Sequence, residues 1–449
     1  MKISNKRDYG LWLGATTADM FGRSAQDLAL PFIIISFTGS AAISGNIQTA
    51  GKIATLAVIL FGGVLIDRID RRIGMYLRSF SGAILWALLG TLILIGIIPV
   101  WAILAIVLLT SITDGLFGEA DNAALRSIIQ SNEEFIAVRS INQGRAAAIQ
   151  LTGGPIGAFL YHLGHAIPFF FSSLCLAILG ICAKLIRADL RPKSDLQESA
   201  QQIAGSQKNK DHTAEKESII RNFFADLKTG FKFIFTHSRI RPLLIANIFI
   251  GSGMMMIIFT ADYALITRGH TPLEISLLST LFALIMMGGA ALSAKFSARI
   301  PAGKGLIILL LGMALIAAAT IFWNQYFQLL LILSLYGAIV PFIGALLGGY
   351  CFSATPSDFQ ARVGSASNIM EFGLTAFVPF IAGNLVNHGL AAYGFALGAI
   401  INLIALLILA SSKAIRSLGN SSTWTPVNST ETAADSPNNP NNPNNPSSK

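Results

Sequence analysis

Charged side chains are scarce in this chain, and the few inside its apolar runs are the ones whose chemistry matters. Asp19, Arg23 and Asp27 recur at four-residue steps, so on a helix they share one stripe. Arg23 can neutralise one carboxylate and leave the other free to exchange a proton. Asp114 lies past the middle of its apolar run and Glu371 about three turns into another. Arg145 sits at similar depth, as a partner for one of them. A charge in hydrocarbon costs at least ~2.5 kcal/mol and persists where it is paired or functional. The expected chemistry is therefore reversible protonation beside fixed ion pairs. A static ion-pair stripe that only fixes packing is the alternative. Glu119 and Asp121 approach the cytoplasmic end of the 101–121 run, and Asp262 the outer end of the 242–267 run, where solvation at the interface accounts for them.

The elements that must carry these groups are helices. Of 449 residues 53% are hydrophobic and only 12% charged, half the usual charge of a soluble domain. Apolar runs of ~20 residues recur, the length that crosses ~30 Å of hydrocarbon. Twelve are expected, near 10–37, 44–66, 74–97, 101–121, 137–162, 167–187, 242–267, 273–298, 304–323, 326–350, 364–386 and 389–411. In lipid the backbone must satisfy its own hydrogen bonds, and runs this long do so as helices. The fold class is thus an all-α membrane protein of twelve transmembrane helices. It divides into a six-helix bundle over 1–187, a polar linker over 188–241 and a second bundle over 242–411. A tail over 412–449 ends in Asn-Pro repeats and is expected to be disordered.

Lys and Arg cluster in alternate links, which places both termini and the linker on the cytoplasmic side, with Arg268 as the exception. The net charge of +9 is read as this topology signal and not as a nucleic-acid surface. Cys175, Cys182 and Cys351 lie in apolar runs without metal-ligand spacing, as small packing residues. No hydrolase constellation, phosphate loop or metal cluster stands out, so no cofactor and no enzyme activity are expected.

Two motifs go further. Gly62-Gly63 precede a short link, Asp67-Arg68-Ile69-Asp70-Arg71-Arg72, that joins the second and third runs. The glycines would let helices approach closely. Asp67 could latch a neighbouring helix terminus, and Arg68, Arg71 and Arg72 could hold lipid headgroups. Gly289 to Arg299 repeats the small residues and basic charge without the acid. The fifth run holds Gly144, Gly153, Gly154 and Pro155, and the proline removes a backbone donor and bends the helix.

The 62–72 link resembles the loop between helices 2 and 3 of the major facilitator superfamily, with Gly63, Asp67, Arg68, Arg71 and Arg72 as a cytoplasmic gate motif. Asp70 stands where that family usually has glycine. The Gly144–Pro155 stretch resembles the helix 5 element of its drug:proton antiporters, with Gln150 in place of a glycine. Ala29-Leu30-Pro31, Thr355-Pro356-Ser357-Asp358 and Arg362-Val363 are similar to the macrolide, multidrug and enterobactin exporter branch. The resemblance spans about residues 8–411. It implies two pseudo-symmetric bundles and export of a drug-like or siderophore-like small molecule against protons, by a monomer in the inner (cytoplasmic) membrane among its lipids. Asp19, Asp27, Asp114 and Glu371 are then the proton-coupling candidates, with Arg23 and Arg145 as charge partners. Met254, Met255, Met256, Met286 and Met287, with Phe249, Phe259 and Phe282, could line an adaptable pocket. An importer or lipid flippase of the same fold, or a transport-dead sensor, remain alternatives.

Overall fold

The first helix begins where Asn5 accepts the backbone N–H of Asp8 and ends where Gly39 turns left-handed at φ 67°. The computed structural model describes residues 5–66, 69–129, 132–191, 228–420 and 424. Within them the chain is helical, with no strand among the described residues. In order, the helices of the first half are α1 (Lys6–Thr38), α2 (Ala41–Ile66), α3 (Arg71–Ile95), α4 (Val100–Phe117), α5 (Ala120–Ile128), α6 (Asn132–Leu163) and α7 (Ile167–Leu185). Then come α8 (Ile240–Thr267), α9 (Pro272–Phe296), α10 (Ala302–Phe322), α11 (Tyr326–Ile343), α12 (Gly349–Ala354), α13 (Ser357–Thr375), α14 (Val378–Asn387), α15 (Ala391–Ser411) and α16 (Lys413–Arg416). With α4–α5, α11–α12 and α13–α14 each read as one path, these helices follow the twelve expected runs. Nine paths among the described residues are long and apolar enough to cross a membrane by length and composition alone. Outside that count are α1, α2 and α6, of which α1 and α6 carry the charges described below. Phe322 (82% exposed) and Phe327 (78%) have no place in water, and a lipid surface covers such side chains.

Two compact units emerge. The first comprises Met1–Ile220, Phe259–Ala283 and Ala376–Ala391; the second comprises Arg221–Ile258, Leu284–Thr375 and Ala392–Lys449. In the first, α1 packs along α7, where Ser172 Oγ donates to Gly22 O at 2.6 Å and a Cβ at Gly22 would lie 2.9 Å from Cys175 Cβ. Along α2 the close approach to α4 is made by Gly62, whose added Cβ would strike Gly115 O and Leu116. Gly63 has open space around it, so of the glycine pair only Gly62 does the packing.

Asp70 serves the backbone locally as the N-cap of α3, accepting from Arg72 N at 2.9 Å. Arg71 pairs with Ser127, and Arg72 Nη2 donates to Ile186 O (2.8 Å) and Ala188 O (3.0 Å). These two arginines thus tie α3 to neighbouring helix ends. Asp67 and Arg68, and with them the expected latch, lie outside the described residues.

In the second unit the tail departs from expectation. The residues just past 411 form α16 and bury Ile415 and Leu418. They also bond back to the start of α10, where Ala302 N reaches Gly419 O at 3.1 Å and Gly303 N reaches Leu418 O at 3.2 Å. Trp424 stacks edge-on against Tyr350, with ring centroids 5.6 Å apart. Disorder therefore does not begin at 412, because two apolar side chains are buried there and an indole packs against Tyr350. Residues 425–449 lie outside the described residues.

Candidate functional site

Asp19 and Asp114 are brought together by a residue that spacing alone does not single out. Arg78, on α3 and 2% exposed, places one nitrogen on each of three carboxylates. Nη2 lies 2.6 Å from Asp19 Oδ2, Nε 2.7 Å from Asp114 Oδ1, and Nη1 2.6 Å from Asp121 Oδ2. Arg23 joins the same group, with Nε 3.1 Å from Asp19 Oδ2 and Nη2 3.1 Å from Asp114 Oδ1. Asp114 and Asp121 are seven residues apart on α4–α5, two turns along one face, which is why both reach Arg78. Three aspartates meet two arginines, so the cluster carries one negative charge in excess when all are ionised. Asp19 Oδ1 and Asp121 Oδ1 are buried without a hydrogen-bond partner.

Asp121 is therefore no interfacial acid. It is 8% exposed and held by Arg78, and Trp12 Nε1 donates to its backbone oxygen at 2.8 Å. Arg145 departs from expectation too. Its Nη1 binds Leu13 O (3.1 Å), Thr16 Oγ1 (2.7 Å) and Thr17 Oγ1 (3.2 Å), and its guanidinium lies 5.3 Å over the Trp12 ring. It anchors α6 to α1, whereas Asp114 takes its arginines from α1 and α3.

Beside the cluster is a cavity of about 440 Å³. Arg23 and Asp114 form part of its wall, where it meets the ion pairs. Asp27, Lys52 and Asp262 line the rest, with Gln26, Gln48 and the rings of Trp86, Phe259 and Tyr263. Asp27, two turns along α1 from Asp19, is exposed to this space and makes no side-chain hydrogen bond or ion pair among the described residues. Pro31, also in the wall, cannot donate to the carbonyl four residues back, which belongs to Asp27. Lys52 on α2 places Nζ 4.9 Å over the Phe259 ring. Asp262 faces the cavity too, so interfacial solvation does not account for it. Of the expected pocket residues Phe259 is in the wall, while the methionines are not. Lys52 and Arg78 do leave a sequence signal, as lone cations inside apolar runs. For Arg78 it is masked because basic residues near span ends are ordinarily topology markers.

Helix α6 is shaped by its proline. Without an N–H at Pro155 the carbonyl of Leu151 loses its helical donor, and Thr280 Oγ1 on α9 supplies one at 3.3 Å. Gly153 meets Ser24 on α1, and a Cβ at Gly154 would lie 3.3 Å from Ser279 Oγ. Gly144 has no neighbour within reach of a Cβ.

Glu371 belongs to the second unit. Asn247 Nδ2 donates to its Oε2 at 3.1 Å, and Gly251 leaves room for its carboxyl: a Cβ there would lie 2.9 Å from Oε1. Glu371 is half-buried with an amide partner, while Asp19 and Asp114 are held by arginines. Among the described residues no group of three or more His, Cys, Asp or Glu side chains has the arrangement of a metal site.

The family model of the Major Facilitator Superfamily matches residues 12–379. No curated protein matches the chain in sequence. Solved structures share the fold at low identity. A bacterial homologue of the iron transporter ferroportin, in an inward-facing state, is 13% identical with a TM-score of 0.69, covering 91% of this chain and 99% of that one. The nucleoside transporter NupG is 12% identical with a TM-score of 0.59, covering 92% and 99%. A D-xylose-proton symporter is 14% identical with a TM-score of 0.61, covering 93% and 99%.

Proposed function

The chain belongs to the major facilitator superfamily and is a multi-pass membrane transporter rather than an enzyme, and from this premise we propose that it exports a drug-like or siderophore-like small molecule by proton antiport. The similar structures are named for an iron transporter, a nucleoside transporter and a sugar–proton symporter, so the fold does not choose a cargo or a direction. The choice rests on side chains.

One observation carries the reading: Asp27 faces the 440 Å³ cavity unpaired, on the same stripe as an Asp19 that two arginines already hold. An unpaired carboxylate at membrane depth is costly and is retained for function. The neighbouring cluster fixes the geometry of α1, α3 and α4, so that on the α1 stripe Asp27 is the carboxylate left to exchange charge. A proton arriving from outside and a substrate arriving from inside would compete for it, and that competition is coupling. The halves over 1–187 and 242–411 would alternate access around the cavity, with 188–241 as a cytoplasmic linker. Glu371, with Asn247 beside it, is a second exchange site in this scheme. The protein would act as a monomer in the inner (cytoplasmic) membrane, both termini in the cytoplasm.

A growth-inhibition panel across drug classes, comparing a deletion strain with an overexpressing one, finds the cargo. Proteoliposomes with an imposed pH gradient then test the coupling. Substrate accumulation that follows the sign of the gradient supports antiport. Accumulation with the opposite sign would make the protein an importer, and none with any compound would favour a scaffold.

A further inference from the structure

Lys52 is a cation that the ion-pair cluster does not use. It sits near the middle of α2, half-buried, at a depth where an ammonium is as costly as a carboxylate. Among the described residues it makes no hydrogen bond and no ion pair within 4 Å. What stabilises it is the face of Phe259, 4.9 Å away, and the longer-range attraction of Asp27. An aromatic face together with a carboxylate is the chemistry by which proteins recognise organic cations.

Charge counting points the same way. Arg23 and Asp114 are spoken for in the cluster, which leaves Lys52 against Asp27 and Asp262 in the cavity wall. One carboxylate is in excess even with the lysine in place. A monovalent cation entering the cavity would neutralise it, whereas an anion would add to the imbalance. Gln26 and Gln48 supply amides beside the charges, and Trp86 and Tyr263 supply further ring surface for an apolar body. Gln48 is itself oriented, its Nε2 donating to Tyr263 Oη at 2.8 Å.

Given that this cavity is a substrate site, we propose that it takes organic cations and that Lys52 is its resident counter-cation, holding the place against Phe259 and Asp27 that the substrate's cationic centre takes on binding. The lysine stem is long and flexible enough to withdraw its ammonium when the site fills. An empty site is thereby never left with two unpaired carboxylates. Lys52 is on this account a competitor of the substrate, tethered in the wall.

The test is equilibrium binding of tetraphenylphosphonium to the purified full-length protein in detergent, by calorimetry, with benzenesulfonate as the anionic probe. Removing a resident competitor must tighten cation binding, so Lys52→Gln should lower the Kd at least tenfold. Lys52→Arg, which keeps the charge, should stay near the wild-type value. Asp27→Asn should weaken binding in both the wild-type and the Lys52→Gln backgrounds. Melting temperatures of all variants within a few degrees of wild type exclude misfolding, and Lys52→Arg provides a folded control if Lys52→Gln melts early. Unchanged or weaker phosphonium binding in Lys52→Gln overturns the proposal, as does its absence in every variant. Benzenesulfonate binding that is lost in Lys52→Gln overturns it in favour of an anion ligand. No gradient is present, so a failure of proton coupling leaves this result standing, and its failure leaves antiport of another cargo open.

Discussion

Arg78 Nη2 and Asp19 Oδ2 lie 2.6 Å apart, joining two helices from residues 59 positions apart in sequence. Around that contact α1, α3 and α4 are joined by charge as well as by apolar packing. The guanidinium fork is used in three directions, on Asp19, Asp114 and Asp121.

Removing Arg78 strands the buried Asp121 and leaves Asp19 and Asp114 to share Arg23 alone. Breaking a buried pair from one side typically costs about 3–5 kcal/mol. Arg78→Gln should therefore lower the melting temperature of the detergent-purified protein steeply, or prevent its accumulation. Arg78→Lys should recover little, because a single ammonium cannot reproduce a planar fork. A near-wild-type melt for Arg78→Gln would show that the cluster does not hold these helices.

The two ends of the acid set should separate by readout. Asp121→Asn removes a buried partner of Arg78 and should lower the melting temperature. Asp27→Asn touches no ion pair and should leave melting close to wild type. Circular dichroism melts of the two variants, run side by side, compare them directly.

Thr280 stands in for the donor that Pro155 lacks. Thr280→Val should leave Leu151 O unpaired and destabilise by about 1–3 kcal/mol. In a Pro155→Ala background the helix regains its own donor, and the same threonine change should then cost little. A double-mutant cycle on thermal stability measures the coupling, and simple additivity would break the link between the two residues.

At the start of α1, burial alone would push the Asp8 carboxyl up, but N–H donation from Arg187 and Ala188 and from the Asn5 amide outweighs it. The Arg7 charge acts in the same direction, and the carboxyl is held below its ordinary value. A depressed folded-state value means that the contribution is fully present above the unfolded value of ~3.9 and is lost as pH falls through the folded one. Asp8→Asn should thus lower stability at neutral pH and shrink the difference from wild type in acid. Melting curves between pH 7 and pH 3 check the sign.

Trp424 pins the segment after α15 to Tyr350. Trp424→Ala should expose residues near Leu418 to limited proteolysis while leaving the helices intact. An unchanged cleavage pattern would mean that the backbone bonds to Ala302 and Gly303 hold the segment unaided.

Length and hydropathy make the helical frame legible, because lipid imposes one solution on long apolar runs. The stripe of Asp19, Arg23 and Asp27 is legible from its four-residue step, yet its division into a paired and an unpaired acid is not. That division depends on Arg78, which comes from another helix and which local spacing cannot see. Asp121 and Asp262 escape a local reading for the same reason: distance from a span end says nothing of which neighbour covers a side chain. Asp70 departs from a family pattern and proves to be a helix cap. Tail composition suggests disorder, yet Ile415, Leu418 and Trp424 are apolar enough to dock before the Asn-Pro repeats begin.

The most direct test of the account is ethidium movement in proteoliposomes carrying wild type or Asp27→Asn under an imposed pH gradient. Wild type should accumulate ethidium only when the gradient is present and should reverse when it is reversed. Asp27→Asn, folded by its melt, should lose that dependence. Gradient-driven accumulation that survives intact in Asp27→Asn would contradict the claim that this carboxylate couples the cavity to protons.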